Sequence, residues 1–194
     1  MSLRGVIAGF SPACEQEETD RRLMLQHLDS GADMLSRANE TAHFSASAWV
    51  VNPARTRALM LYHNIYRSWS WPGGHADGEE DLLRVAMREV REETGLSRLS
   101  PASDAPLSLE ILPVNAHIKR GRYVAPHLHL NLTYLLVAPE DQPVRALPDE
   151  NSAVKWFDLD EAVAASSEMD MRAVYEKLNR KVRAGWGLSG EGQK

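Results

Sequence analysis

Three glutamates, Glu89, Glu92 and Glu93, stand at i, i+3 and i+4 within the run G-H-A-D-G-E-E-D-L-L-R-V-A-M-R-E-V-R-E-E-T-G-L of residues 74–96. On a helix this spacing gathers three carboxylates within about one turn, where they repel one another unless something positive holds them together. Oxygen-rich donor sets of this kind suit a hard divalent cation, Mg²⁺ or Mn²⁺.

A helix from about Glu79 to Glu93 places Arg84, Arg88, Arg91 and Asp81 on a solvent face and Leu82, Leu83, Ala86 and Val90 opposite. Glu89 and Glu93 flank that apolar stripe, and Glu92 lies at its edge. The ordinary reading of a Glu-rich helix is a solvated charged face. Two carboxylates that continue a buried stripe instead need a metal or a paired base. Arg88, four residues before Glu92, is placed to fix its orientation. Upstream, Trp69–Pro72 end a strand and the Gly73–Gly74 pair turns the chain sharply into a loop. Glycines there allow close backbone approach to a ligand, and a helix N-terminus after such a loop attracts phosphate. A plain strand–loop–helix turn is the alternative.

The stretch resembles the box of the Nudix hydrolase family at every defined position: Gly74, Glu80, Arg88, Glu89, Val90, Glu92, Glu93, Gly95 and Leu96. The Trp-x-Trp-Pro-Gly-Gly-His approach and the Val154–Glu161 ending extend the resemblance over about residues 40–165. It implies an α+β fold, an α/β/α sandwich with a mixed β-sheet. It also implies a divalent-metal-dependent hydrolase that cleaves the diphosphate linkage of a nucleoside diphosphate derivative by water attack on phosphorus. Carried over residue by residue, Glu89, Glu92 and Glu93 with the Gly74 carbonyl would hold Mg²⁺ (or Mn²⁺). Arg88 would orient the cluster and Glu80 would support it. The general base would be Glu89 or, on a loop before a late strand, Glu150; a surface charge is the other reading of Glu150. Two alternatives share the fold: an isomerase of the isopentenyl-diphosphate type, and a non-catalytic nucleotide sensor. The isomerase uses a cysteine in its site, and Cys14 lies far upstream. The intact glutamates count against a sensor. Pro113 is a loose fit to a marker of ADP-ribose-type relatives.

Length and composition are consistent with this. At 194 residues and 43% apolar, the chain suits one domain with extensions. We expect a helical extension over 1–40, the hydrolase domain over 41–183 and a flexible tail over 184–194. The net charge of −5 argues against a partner that is a nucleic-acid polymer. It does not exclude a small diphosphate substrate, because bound cations reverse the local sign. One cysteine fits a reducing cytoplasm, and no apolar run suits a membrane span or a signal peptide.

Along the chain, residues 1–12 read as a poorly ordered start, Glu15–Leu28 as a helix and Ala32–Ala38 as a short helix. These helices are expected to cover one flank of the sheet, with a homodimer contact as the alternative. Strands are expected over Phe44–Val51, Arg57–His63, Leu107–Ile118, His127–Val137 and Val154–Phe157. Loops are expected over Ser97–Pro106 and Ala138–Glu150, and helices over Asp160–Ala165 and Asp170–Val182. That order suggests a mixed sheet with helices on both faces.

His127, His129 and Asn131 alternate on one strand face, as substrate or metal contacts or as the polar side of a half-buried strand. Two histidines so spaced make a weak zinc motif without a third ligand nearby in sequence. His75 follows Gly74 in the candidate phosphate loop. Arg120 and Arg122, with Lys119, form a basic turn that would clamp a distal phosphate or simply solubilise the hairpin. Tyr66, Trp69 and Trp71 are candidates for base stacking or for the core.

Overall fold

The computed structural model describes residues 1–119 and 121–187. In chain order its elements are α1 (Leu3–Gly9), α2 (Glu15–Asp29), β1 (Ala42–Val51), β2 (Arg57–His63), β3 (Ser68–Ser70), β4 (Gly73–His75), α3 (Leu82–Thr94), β5 (Ser100–Pro101), β6 (Ser108–Val114), β7 (His117–Lys119), β8 (Arg122–Val124), β9 (His127–Val137), β10 (Asn151–Asp158), α4 (Leu159–Ala165) and α5 (Met169–Arg183). Eight strands form one sheet with the path β10-β2-β1-β9-β5; β3 pairs with β2, β4 with β1 and β6 with β9. The β1–β9 pairing is parallel and the others are antiparallel, so the sheet is mixed. β7 and β8 form a separate hairpin.

Strand β1 is buried along its whole length. Successive side chains point to opposite faces. Phe44, Ala46, Ala48 and Val50 pack with Leu82, Val85, Ala86 and Val90 of α3. Trp49 and Val51 pack on the other face with Leu159 and Ala162 of α4 and Tyr175 and Leu178 of α5. Helices therefore cover both faces, which is the expected α/β/α sandwich. On that second face the odd positions nearer the start of β1 are His43, Ser45 and Ser47, and they are polar. The same switch occurs in β9, from Leu135 back to Thr133, Asn131 and His129. The sheet thus holds a core and the polar floor of a cleft on one surface.

Helix α3 begins at Leu82 rather than Glu79, because Asp81 is its N-cap and accepts the Arg84 N–H at 3.2 Å. It ends at Gly95, whose φ of 75° is the left-handed conformation that closes helices at low cost. Each buried Leu or Val on its inner face contributes about 2 kcal/mol, which offsets the cost of burying Glu93 on the same stripe.

Several expectations for the flanks need correction. Residues 3–9 are helix α1, capped by Ser2 and anchored by buried Leu3 and Ile7; a helix this short is held by packing, not by its own propensity. Residues 32–38 are not helical. The Met34 carbonyl accepts from Phe44 N–H at 2.7 Å and the Leu35 carbonyl from Gly78 N–H at 3.1 Å, so the sheet and the loop use those groups instead. The strand expected over Leu107–Ile118 breaks after Val114, and His117–Lys119 joins the hairpin. The two-residue strand β5 interrupts the loop expected over Ser97–Pro106. The tail from 188 to 194 lies outside the described residues.

Helices α2 and α5 clamp β6. The Ser108 hydroxyl donates to Glu17 at 2.6 Å, Asp20 accepts the Ile111 N–H at 2.9 Å, and Lys177 lies 2.9 Å from Glu110. Among the described residues no helix is long and apolar enough to cross a membrane.

Candidate active site

The antiparallel pairing of β4 with β1 sets Gly73 opposite Ser47, Gly74 opposite Ala46 and His75 opposite Ser45. Neither position has space for a side chain as the site stands. A Cβ on Gly73 would lie 2.7 Å from the Ala46 carbonyl oxygen, and one on Gly74 would lie 2.5 Å from the Glu89 carboxyl carbon. The Glu89 carboxylate therefore rests against the Gly74 backbone. Glu93, 4% exposed, accepts the Gly73 N–H at 2.9 Å. Glu92 is exposed on the next face of α3, as the helix plot anticipated.

Electrostatics single out Glu93. Burial, reinforced by the charges of Glu89, Glu150 and Glu92 and opposed by the Gly73 N–H, pushes its carboxyl up to about 8. Burial likewise raises Glu89, against the attraction of Arg88. Like-charged carboxylates held on one helix under partial burial suit a divalent cation.

Arg88 does not pair with Glu92. Its guanidinium donates to Glu89 at 2.8 Å and to the His75 carbonyl at 3.4 Å, because β4 lies on that side of the helix. Glu80 is also displaced from the cluster: its carboxylate accepts the Leu3 N–H at 3.0 Å, at the start of α1. Glu150 is exposed just ahead of β10, and its charge reaches both Glu89 and Glu93.

A cleft of about 770 Å³ runs along this edge of the sheet, with Gly73, Gly74, Glu93 and Asn131 among its walls. His75, His127 and His129 meet inside it, although His75 was expected in a loop and His127 and His129 on a strand. His43 joins them, with its ring centroid 4.9 Å from that of His127 and 5.1 Å from that of His129. Sequence reasoning missed His43; the only signal was the alternation of His43, Ser45 and Ser47 in β1. Trp69 packs edge-on against Phe157 in the core, and Trp71, buried against Tyr175, keeps one edge on the cleft. Tyr66 and Tyr123 are exposed on its rim. Arg122 is exposed in β8 and does not line the cleft; Arg120 lies outside the described residues.

The NUDIX domain model matches residues 41–178. The chain is 36% identical over 112 residues to the m7GpppN-mRNA hydrolase NUDT17 of Xenopus laevis, covering 55% of this chain and 36% of that protein. It is 30% identical over 129 residues to the asymmetrical bis(5'-nucleosyl)-tetraphosphatase of Sus scrofa, covering 66% of this chain and 81% of that one. The chain thus spans only about a third of the length of the Xenopus protein. In fold it is similar to a C. elegans Ap4A hydrolase, with a TM-score of 0.54 at 21% identity, covering 73% of this chain and 98% of that one. The family model spans more than half of the sequence, and the relatives and the fold agree with it: the chain belongs to the Nudix hydrolase family.

Proposed function

We propose that the protein hydrolyses a phosphoanhydride bond in a nucleoside joined through two or more phosphates to another group. The observation that carries this reading is the buried Glu93, tied to Gly73 and backed by Glu89 and Gly74, at the wall of a cleft of ligand size. Glu89, Glu92 and Glu93, with the Gly74 carbonyl, are the residues that would hold Mg²⁺, or Mn²⁺ in its place. A bound cation of this kind neutralises phosphate charge and acidifies water at the site.

The chain's own groups do the rest. The cleft holds the phosphates in line with an attacking water. A carboxylate takes the proton as the water oxygen bonds to phosphorus and the bridging P–O bond breaks. Glu89 is one base: its raised affinity for a proton suits the task, and Arg88 fixes its position. Glu150 is the other, with its charge acting on both Glu89 and Glu93. Tyr66 and Tyr123 on the rim offer faces for a base. We assign hydrolysis to residues 41–183, with 1–40 bracing the sheet. A reducing cytoplasm fits the single, exposed Cys14. Cys14 does not line the cleft, which disfavours the isomerase reading.

The test is a panel of nucleoside diphosphate derivatives, dinucleoside polyphosphates, a capped RNA oligonucleotide and prenyl diphosphates, each with Mg²⁺ or Mn²⁺. We expect at least one nucleotide to be cleaved and Glu93→Gln to abolish the cleavage. Binding without turnover of any of them would favour a sensor, and isomerisation of a prenyl diphosphate would favour the isomerase.

A further inference from the structure

The hydrolytic proposal leaves four imidazoles in the cleft without a role. One ring nitrogen each of His43, His75 and His129 lies within 4.8 Å of the other two. The Nε2 atoms of His75 and His129 are 3.2 Å apart, and those of His127 and His129 are 3.3 Å apart. Tetrahedral zinc with Zn–N bonds of about 2.0–2.1 Å has ligand–ligand edges of about 3.3 Å. Two of the spacings thus already suit one ion.

The tautomers agree. His43 Nδ1 lies 3.0 Å from the Asn39 carbonyl and His127 Nδ1 lies 2.8 Å from the Ala125 carbonyl. A carbonyl only accepts, so each Nδ1 carries the hydrogen and each Nε2 presents a lone pair. Metal-bound histidines are commonly oriented in this way, by a carbonyl on the second nitrogen. His43 is 4% exposed, and its Nε2 has no hydrogen-bond partner. A packed imidazole cluster does not account for this, because a single N–H on His129 Nε2 aims at His75 or at His127, not at both.

Three of the ligands also sit on paired strands. The register of β1, β4 and β9 places His43 beside His129, and His75 opposite Ser45. An all-nitrogen set selects a different ion from the carboxylates of α3, because imidazole suits zinc and its neighbours where oxygen suits magnesium.

We propose that His43, His75 and His129, with His127 as a fourth donor, bind one transition-metal ion of the Zn²⁺ class in the cleft, separate from the carboxylate cluster of α3. The site does not depend on the hydrolase reading.

The test is a titration of the tag-free full chain, stripped with a chelator, with Co²⁺ and then Zn²⁺. Visible bands of a tetrahedral nitrogen site are expected at one ion per chain, quenched by Zn²⁺ and persistent in excess Mg²⁺. His129→Ala should remove them, and Glu93→Gln should leave them. Should His129→Ala fail to fold, His127→Ala at the partly exposed edge should still weaken Zn²⁺ binding by at least about tenfold, with the unfolding temperature of the metal-free protein unchanged. Absence of the bands overturns the proposal, as does their survival in both histidine variants. Their loss in Mg²⁺ or in Glu93→Gln also overturns it, because the ion would then sit on the carboxylates.

Discussion

The backbone N–H of Gly73 donates to the buried carboxylate of Glu93 across 2.9 Å, tying strand β4 to the helix that carries the glutamates. Position and charge separate cleanly in a variant that keeps the hydrogen-bond acceptor. Glu93→Gln should therefore keep the fold and lose the chemistry. The expected loss in kcat is at least about a hundredfold. In metal-free buffer its unfolding temperature should equal or exceed that of the parent, since a charge repelled by Glu89 and Glu150 is gone. A marked fall in that temperature would mean the residue is structural.

The same carboxyl gives the metal-free protein a pH signature. Its affinity for a proton is raised in the folded state, from 4.5 to about 8. A group raised in this way stabilises the fold fully below its unfolded value, and the contribution is lost as pH rises through the folded one. Between about pH 4.5 and 8, stability of the chelated protein should therefore decline, and Mg²⁺ should raise the unfolding temperature more at pH 8.5 than at pH 6. Denaturant unfolding of parent and Glu93→Gln across this range is the check: the slope should be shallower in the variant. Equal slopes would assign the pH dependence to other groups.

The two glycines predict different failures. A Cβ on Gly74 meets the Glu89 carboxylate, the movable end of a side chain, at 2.5–2.7 Å. Gly74→Ala should displace Glu89 and lower kcat while leaving stability nearly intact. A Cβ on Gly73 meets Ala46 O and Ser47 Cα, both backbone atoms of β1, at 2.7 and 2.9 Å. Gly73→Ala should cost about 1–3 kcal/mol of stability. Thermal unfolding beside steady-state rates separates the cases, and a Gly74→Ala enzyme of full activity would remove Glu89 from the site.

The placement of the three glutamates was legible because all of them lie within a single helix, whereas the glycines expected in a loop before it form strand β4. Helical periodicity alone put Glu89 and Glu93 beside the apolar stripe and Glu92 further out, at its edge. Partners brought from elsewhere were not legible. Arg88 turns to Glu89 because β4 offers it the His75 carbonyl, and Glu80 is taken by the Leu3 N–H of a helix too short to be seen in sequence. The histidine cluster depends on the parallel register of β1 with β9, two strands that are distant in the chain. His127 and His129 therefore looked like a pair lacking a third ligand, because His43 becomes their neighbour only in the sheet.

Behind the cleft floor, Lys177 Nζ lies 2.9 Å from Glu110 Oε1 and 3.4 Å from Glu17 Oε1. The other oxygen of Glu110 accepts from Thr133 at 2.7 Å and from Asn131 at 3.4 Å, and Asn131 in turn accepts from Ser45 at 3.1 Å and Ser47 at 2.9 Å. Helix α5 is thereby linked to the strands that carry His43 and His129. Removing one member of a buried ion pair strands the other charge, so Lys177→Met should destabilise by about 3–5 kcal/mol. Glu110→Gln keeps an acceptor for Thr133 without the charge, so the pair Lys177→Met/Glu110→Gln should recover most of that loss. Chemical denaturation of the two single variants and the double variant measures the coupling. Additive losses would mean that the lysine stabilises α5 through its packing, independently of the cleft floor.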